Sequence, residues 1–249
     1  MDFNNYLWKQ LATWRDKGEI NSKLYQKKWL KEHGFKTAKL YKIVTLENIK
    51  DSDLPNECAL KNSTGASSIG VMVLQRQDGN FFEKRTGKSL TFNRVKQIMQ
   101  HAEAQKPYWS KEWLIEEMLE PKPGELVPHE CKCFVIGEVQ IFAVHTKQRG
   151  RQVKQWYDKH LNVIDVGRSY DTIDPNLKPP KDTPELFRMC REIFKGFDYP
   201  FMRIDIFDTA KGFYVGEINY TEGVPTFNKK WNDYLSKKLE EQICQNSIS

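Results

Sequence analysis

The side chains best suited to chemistry gather in residues 202–223, MRIDIFDTAKGFYVGEINYTEG. In an extended chain successive side chains point to opposite faces, so Arg203, Asp205 and Phe207 share one face and Ile204 and Ile206 the other. Glu217 and Asn219 likewise lie together, opposite Ile218. A hairpin turning through Thr209-Ala210-Lys211-Gly212 brings Asp205 beside Glu217 and Asn219, with Arg203 alongside. Two carboxylates and an amide oxygen are hard ligands. They suit Mg²⁺ carrying phosphate, because magnesium takes a few protein oxygens and completes its octahedron with phosphate and water. The same alternation also suits a hairpin whose polar side faces water.

Four further segments carry weaker signals. Cys58-Ala59-Leu60-Lys61 runs into NSTGASSIG (62–70), where a lysine at a strand end and the N–H groups of a small-residue loop can meet phosphate oxygens. The loop lacks the GK[ST] of a Walker A motif. Ile115-Glu116-Glu117-Met118-Leu119 is an apolar strand with adjacent acids. Glu130-Cys131-Lys132-Cys133-Phe134 sets a lysine inside a strand. Lys147, Arg149 and Arg151 form a basic stretch. Read singly, these are equally an exposed lysine, an edge strand and a basic surface loop.

Apolar periodicity indicates the elements that position these groups. Tyr6, Leu7, Leu11 and Trp14, then Leu24, Tyr25, Trp29 and Leu30, recur at helical spacing, with Asn21-Ser22 as a cap between two helices. Strands are expected at 40–44, 57–61, 69–74, 113–119, 131–137, 139–146, 201–208 and 213–219. Helices are expected at 91–104, from 183 to Gly196, and at about 228–244. Thr183 is expected to cap the second of these, with Pro184 at its first position. Residues 146–154 read as a polar, basic stretch, followed by a proline-rich loop to about 182. Irregular alternation with adjacent hairpins gives an α+β class.

Composition narrows the function classes. With 39% apolar and 12% aromatic residues in 249, the chain is an ordinary globular protein. Five cysteines with no CxxC pair argue against a disulfide framework and a structural zinc site. No run is apolar enough to span a membrane, and the start lacks a secretory pattern, so a cytoplasmic protein is expected. The net charge of +6 is spread out, and KKWLK (27–31) and KKLEE (237–241) are expected to be solvated helix faces. The histidines form no HExxH pattern, and no Ser-His-Asp arrangement is legible.

Taken in order, LK with small residues and Gly (60–65), LIEEML (114–119), ECKCFVIG (130–137) with a basic stretch after it, and R-x-D…EIN (203–219) resemble the ATP-grasp superfamily. The resemblance is closest to its TupA-like (teichuronopeptide-biosynthesis) branch and runs from about 20 to 230. It implies an ATP-grasp fold, two α+β subdomains gripping ATP between antiparallel sheets. Residues 1–45 would be a helical N-terminal segment, 46–119 the first subdomain and 120–249 the second. It further implies ATP and Mg²⁺ as cofactors, with Asp205, Glu217 and Asn219 as magnesium ligands. Lys61 would meet the α-phosphate, and the loop with Ser63, Thr64, Gly65, Ser67 and Ser68 would fold over the phosphates. Glu116, Glu117, Met118 and Leu119 would line the adenine, largely through the backbone at 117 and 119. Lys132 would be the second phosphate-side lysine, and Arg149 and Arg203 would face the γ-phosphate. The chain departs from the family pattern at Glu130-Cys131 and at Tyr220-Thr221-Glu222, and its region before the first subdomain is short.

The activity so implied is a carboxylate–amine ligase working through an acyl phosphate on a cell-surface glycopolymer or its precursor, with an acidic small molecule or glycopolymer as acceptor. Two other readings are a kinase acting on a sugar or other hydroxyl acceptor with the same magnesium site, and a basic nucleic-acid or polymer-binding module. The last leaves R-x-D…EIN unexplained, so a nucleic-acid partner is not expected.

Overall fold

Two antiparallel sheets dominate the computed structural model, which describes residues 1–12, 22–65, 68–148, 150–168, 171–220 and 226–246. The first sheet holds β1 (Leu40–Val44), β2 (Glu57–Asn62), β3 (Met72–Gln77), β4 (Asn80–Glu83), β5 (Lys88–Leu90) and β6 (Trp113–Glu116), in the order β1-β6-β2-β3-β4-β5. The second holds β7 (His129–Ile136), β8 (Glu138–Gln148), β9 (Arg151–Asp158), β10 (Met202–Thr209) and β11 (Gly212–Asn219), in the order β11-β10-β7-β8-β9. The helices are α1 (Phe3–Ala12), α2 (Lys23–Glu32), α3 (Phe92–Gln105), α4 (Thr183–Lys195) and α5 (Lys229–Asn246). The class is α+β, as the sequence implies.

Period-two burial explains how each sheet has one dry face. In β2, Cys58 and Leu60 turn inward with Met72, Leu74 and Phe81, and α3 covers them with Val95, Met99 and Ala102, one stripe at helical spacing. In the second sheet Cys131, Cys133, Ile204 and Ile206 face α4, whose Leu186, Met189, Cys190 and Ile193 form the matching stripe. The opposite face of that sheet is only partly covered. α1 and α5 close one end of it, packing Phe3, Leu7, Leu235 and Leu239 on Phe134, Ile141, Ala143 and Trp156. The remainder of that face carries the polar residues singled out above.

Three strands depart from expectation. β4 and β5 are four and three residues long, too short to show periodicity. The turn between β3 and β4 was nonetheless signalled by Asp78-Gly79, both at positive φ as a two-residue hairpin requires. The stretch 151–154, expected to be an irregular basic loop, is the start of β9, whose Val153, Trp156 and Tyr157 are buried. Its basic residues mask the pattern because Lys154 faces the interior cavity rather than solvent. The cap of α4 also differs. Asp182 is the N-cap, accepting the Glu185 N–H at 3.3 Å, while the Thr183 hydroxyl donates to the Pro180 carbonyl at 2.6 Å.

Gly70 shows how tightly the region between β2 and β3 is packed. Its φ is +72°, and a Cβ there would sit 2.7 Å from the Trp113 ring and 3.0 Å from Ala102. Gly70→Ala is therefore expected to cost about 2–3 kcal/mol from overpacking and left-handed strain, checked by urea denaturation at unchanged m.

Candidate active site

Between the sheets lies a cavity of about 620 Å³, within the size range of small-molecule sites. Cross-strand register builds its lower wall. Asp205 on β10 stands opposite Glu217 on β11, and Arg203 opposite Asn219, with the register shifting after Asp205. Gly216 sits at that irregularity, and a Cβ on it would fall 2.6 Å from the Phe207 ring, so glycine keeps the two strands close. On the other side of β10, Asp205 faces Lys132 of β7 and Phe207 faces Glu130. The rows continue from Lys132 to Ala143 and from Glu130 to His145 on β8, then to Trp156 and Lys154 on β9. Directly opposite residues share a face, so these side chains line one surface.

The charges are interlocked. Arg203 forks onto Asp205, with Nε to Oδ1 at 2.7 Å and Nη2 to Oδ2 at 2.8 Å, and Lys132 Nζ donates to Oδ2 at 3.0 Å. Asp205 is 1% exposed, and burial pushes its carboxyl above the usual range even against Arg203 and Lys132. Lys132 also reaches Glu130 at 2.8 Å, and the His145 Nδ1 lies 3.0 Å from the same carboxylate oxygen. Burial raises the Glu130 carboxyl, but Lys132 and His145 outweigh it and hold it well below the usual value. Among the described residues the other ring nitrogen of His145, which is buried, has no partner. With Nδ1–H on Glu130 it presents a lone pair to whatever fills the cavity.

The upper wall comes from the first sheet and from α2. Glu116, 1% exposed, lies between Lys61 Nζ at 2.8 Å and Lys27 Nζ at 3.1 Å. α2 contributes more than a solvated face. Lys27 and Lys23 line the cavity, because the face of α2 bearing them turns inward over the site; this corrects the reading of KKWLK at Lys27, while Lys28 and Lys31 are exposed. Lys23 bonds the loop after β2 at both ends, its N–H to the Ser63 carbonyl at 3.0 Å and its ammonium to the Gly65 carbonyl. The same ammonium sits 3.2 Å from Glu217, so one residue ties the loop to the lower wall. Burial raises the Glu217 carboxyl, but Lys23, Arg203 and Lys132 together take it below its usual value. Gln26 completes the tie: its amide donates to the Ile218 carbonyl at 2.7 Å and accepts the Ile218 N–H at 2.9 Å.

The other expected site residues fall as follows. Lys61, Gly65, Ser68, Glu116, Glu117, Met118 and Leu119 line the cavity, as do Lys132, Arg203, Asp205, Glu217 and Asn219. Ser63 and Thr64 do not. Ser63 is 1% exposed, and the Thr64 hydroxyl accepts the Ser110 N–H at 2.8 Å, so both serve the loop's own architecture. The Glu117 N–H is committed to the Lys39 carbonyl at 2.8 Å, which leaves it unable to face a ligand. Ser67 and Arg149 lie outside the described residues. Lys23, Gln26 and Lys27 were missed; their K-x-x-Q-K spacing puts three polar groups on one helix face, but it does not say what that face meets. Arg168 was missed too, its guanidinium 5.6 Å from the Trp156 ring and 5.3 Å from that of Phe227.

The donors on the lower wall are of the oxygen type that suits a divalent cation. Among the described residues no three His, Cys, Asp or Glu side chains gather to hold a metal; the oxygen ligands on this wall are the carboxylates of Asp205 and Glu217 and the Asn219 amide. Among the described residues the buried Asn219 amide nitrogen has no hydrogen-bond partner, and a half-turn of the amide puts its oxygen there instead. Both carboxylates already pair with side-chain cations, Asp205 with Arg203 and Lys132 and Glu217 with Lys23.

The family model described as TupA-like ATPgrasp matches residues 6–241. The chain belongs to the TupA-like ATP-grasp family. Membership makes it an ATP-dependent carboxylate–amine ligase with ATP and Mg²⁺ as cofactors. Its fold is that of solved ATP-grasp enzymes. D-alanine–D-alanine ligase from Bacillus anthracis superposes with a TM-score of 0.54 at 17% identity, over 93% of this chain and 68% of that one. The same enzyme complexed with ATP gives a TM-score of 0.51 at 15% identity, over 93% and 67%. No curated protein matches the sequence. Among the described residues no helix is long and apolar enough to cross a membrane.

Lys27 gives the site a pH dependence. Burial, with Lys61 adding to it, pushes its ammonium down to about 8 from 10.5, while Glu116 opposes the shift. A lysine lowered in the fold destabilises it while charged, and that cost disappears as pH rises from about 8 through 10.5. Binding runs the other way, because the charged form suits phosphate. Nucleotide affinity is expected to fall as pH rises through about 8, and Lys27→Met to remove that inflection, read as Kd against pH.

Proposed function

We propose that this TupA-like ATP-grasp chain activates a carboxylate of a cell-surface glycopolymer or its precursor as an acyl phosphate, and that an amine then displaces phosphate to form an amide. The observation that carries this reading is the convergence of Asp205, Glu217 and Asn219 with Arg203 and Lys132 on one wall, facing Lys23, Lys27 and Lys61 on the other. Asp205, Glu217 and Asn219 hold the magnesium, which when bound offsets the phosphate charge. Lys61 and Lys27 meet the inner phosphates, and Gly65 and Ser68 close over them. The adenine lies along Met118 and Leu119, with the Leu119 N–H and the Glu117 carbonyl toward its edge. Arg203 faces the γ-phosphate and the charge developing on the transferred group, and Lys132 steadies Asp205 and Glu130 beside it. Neither step needs a nucleophilic side chain, so the protein's work is positioning and charge compensation. Residues 46–119 and 120–249 act as the two jaws, and the reaction runs in the cytoplasm, where ATP is supplied.

A product assay tests the reading. Free phosphate should appear only when ATP, an acid and an amine are all present, together with an amide. Phosphate retained on a single hydroxyl acceptor would make the chain a kinase.

A further inference from the structure

We propose that Lys23 is an internal counter-ion of the metal site: its ammonium holds Glu217 until a divalent cation arrives with the triphosphate, and then passes to a phosphate oxygen while its backbone keeps the loop after β2 in place. A bare divalent cation is thereby refused, and loop and metal are coupled through one side chain. This rests on the magnesium assignment above and deepens it by naming a positioning residue outside the two sheets.

Lys23 opens α2, and three contacts fix it there. Its N–H donates to the Ser63 carbonyl at 3.0 Å, its ammonium donates to the Gly65 carbonyl, and the same ammonium lies 3.2 Å from a Glu217 oxygen. The Lys23 side chain is 7% exposed, whereas that of Glu217 is 25% exposed and opens on the cavity. Three residues on, Gln26 pairs with both polar groups of Ile218, the neighbour of Glu217 on β11. The start of α2 is therefore tied to the second sheet and to the loop of the first, and the ammonium is confined between that loop and Glu217. A buried ammonium is costly without an anion or carbonyl beside it. It can leave Glu217 only for another anion, and a triphosphate in the cavity supplies one.

The charges on the lower wall point the same way. Three carboxylates, Asp205, Glu130 and Glu217, already meet three cations, Arg203, Lys132 and Lys23. These charges cancel, so the wall offers a free dication no net negative charge. An ammonium and a divalent cation cannot share one carboxylate oxygen at contact distance, because their repulsion is twice that of two unit charges. A triphosphate brings the negative charge that both cations need. Metal and nucleotide then each raise the affinity for the other by the same factor, and Lys23 sets part of that factor.

The experiment uses the full chain and Mn²⁺, a paramagnetic divalent ion that shares the preference of Mg²⁺ for oxygen ligands. Binding of Mn²⁺ alone is followed by electron paramagnetic resonance of the unbound ion, and binding of Mn–AMP-PCP by calorimetry. Lys23→Gln keeps a donor for the Gly65 carbonyl and removes the charge. It should bind Mn²⁺ alone about tenfold more tightly than wild type, while its affinity for Mn–AMP-PCP falls about tenfold, the worth of one charge-assisted hydrogen bond. Lys23→Arg keeps the charge and should refuse bare Mn²⁺ as wild type does. Adding Glu217→Gln to Lys23→Gln should abolish the gain, which puts the ion at Glu217. A residue serving only the fold would give tighter metal binding in no variant. The proposal is overturned if Lys23→Gln loses nucleotide affinity without gaining metal affinity, or if the gain survives Glu217→Gln. Uptake of bare Mn²⁺ by wild type as tightly as Mn–AMP-PCP overturns it too, whether or not the variants fold. Failure of wild type to bind Mn–AMP-PCP would instead overturn the magnesium assignment and the ligase reading.

Discussion

Arg203→Met is expected to lower kcat/KM by about 10³-fold, at the upper end of what one preorganised cationic donor contributes in a buried site. Two effects combine. On the proposed reading the guanidinium is lost from the side of the γ-phosphate, and Asp205 loses both arms of its fork at 2.7 and 2.8 Å. Arg203→Lys restores a charge but not the planar pair of donors, so it should recover only part of the loss. The measurement is steady-state kinetics beside nucleotide Kd. The loss should fall mainly on kcat, because the groups proposed to bind the inner phosphates, Lys61, Lys27 and the loop, are untouched. A kcat within tenfold of wild type would remove Arg203 from the reacting centre.

Gln26→Leu is expected to destabilise the fold by about 3 kcal/mol, since it strands a buried N–H and a buried C=O at once. β11 is the edge of its sheet, and the outward N–H and carbonyl of Ile218 have no neighbouring strand. Gln26 takes the place of that strand with bonds of 2.7 and 2.9 Å. Glu217 and Asn219 flank Ile218, so loosening it moves both proposed metal ligands. Denaturation gives the stability. The accompanying loss of magnesium-dependent nucleotide binding, absent from an equally destabilising core variant such as Met99→Ala in α3, separates this positioning role from general softening.

Strand alternation made the lower wall legible in the sequence. Reading Asp205 against Glu217 and Asn219 required only a period of two and one turn, and the ladder has that register. Long-range packing was not legible. α2 shows an apolar stripe through Leu30, but nothing in KLYQKKWLKE says that its polar side turns toward a cavity instead of water. That depends on β11 being an edge strand some 190 positions away along the chain. β9 was hidden for a related reason: Lys154 occupies an interior-facing position, so the alternation there is polar on both counts. In the loop after β2, Thr64 reads as a phosphate contact from its type alone. Only the fold brings Ser110 close enough to claim its hydroxyl.

The central claim is that Asp205, Glu217 and Asn219 hold magnesium against a triphosphate, and calorimetric titration with ATP tests it most directly. Wild type should bind ATP more tightly with Mg²⁺ than without it. Glu217→Gln, which keeps the shape and removes one charge, should lose most of that magnesium-dependent gain while retaining its fold. Equal binding by the variant, or wild-type affinity indifferent to Mg²⁺, would contradict the assignment.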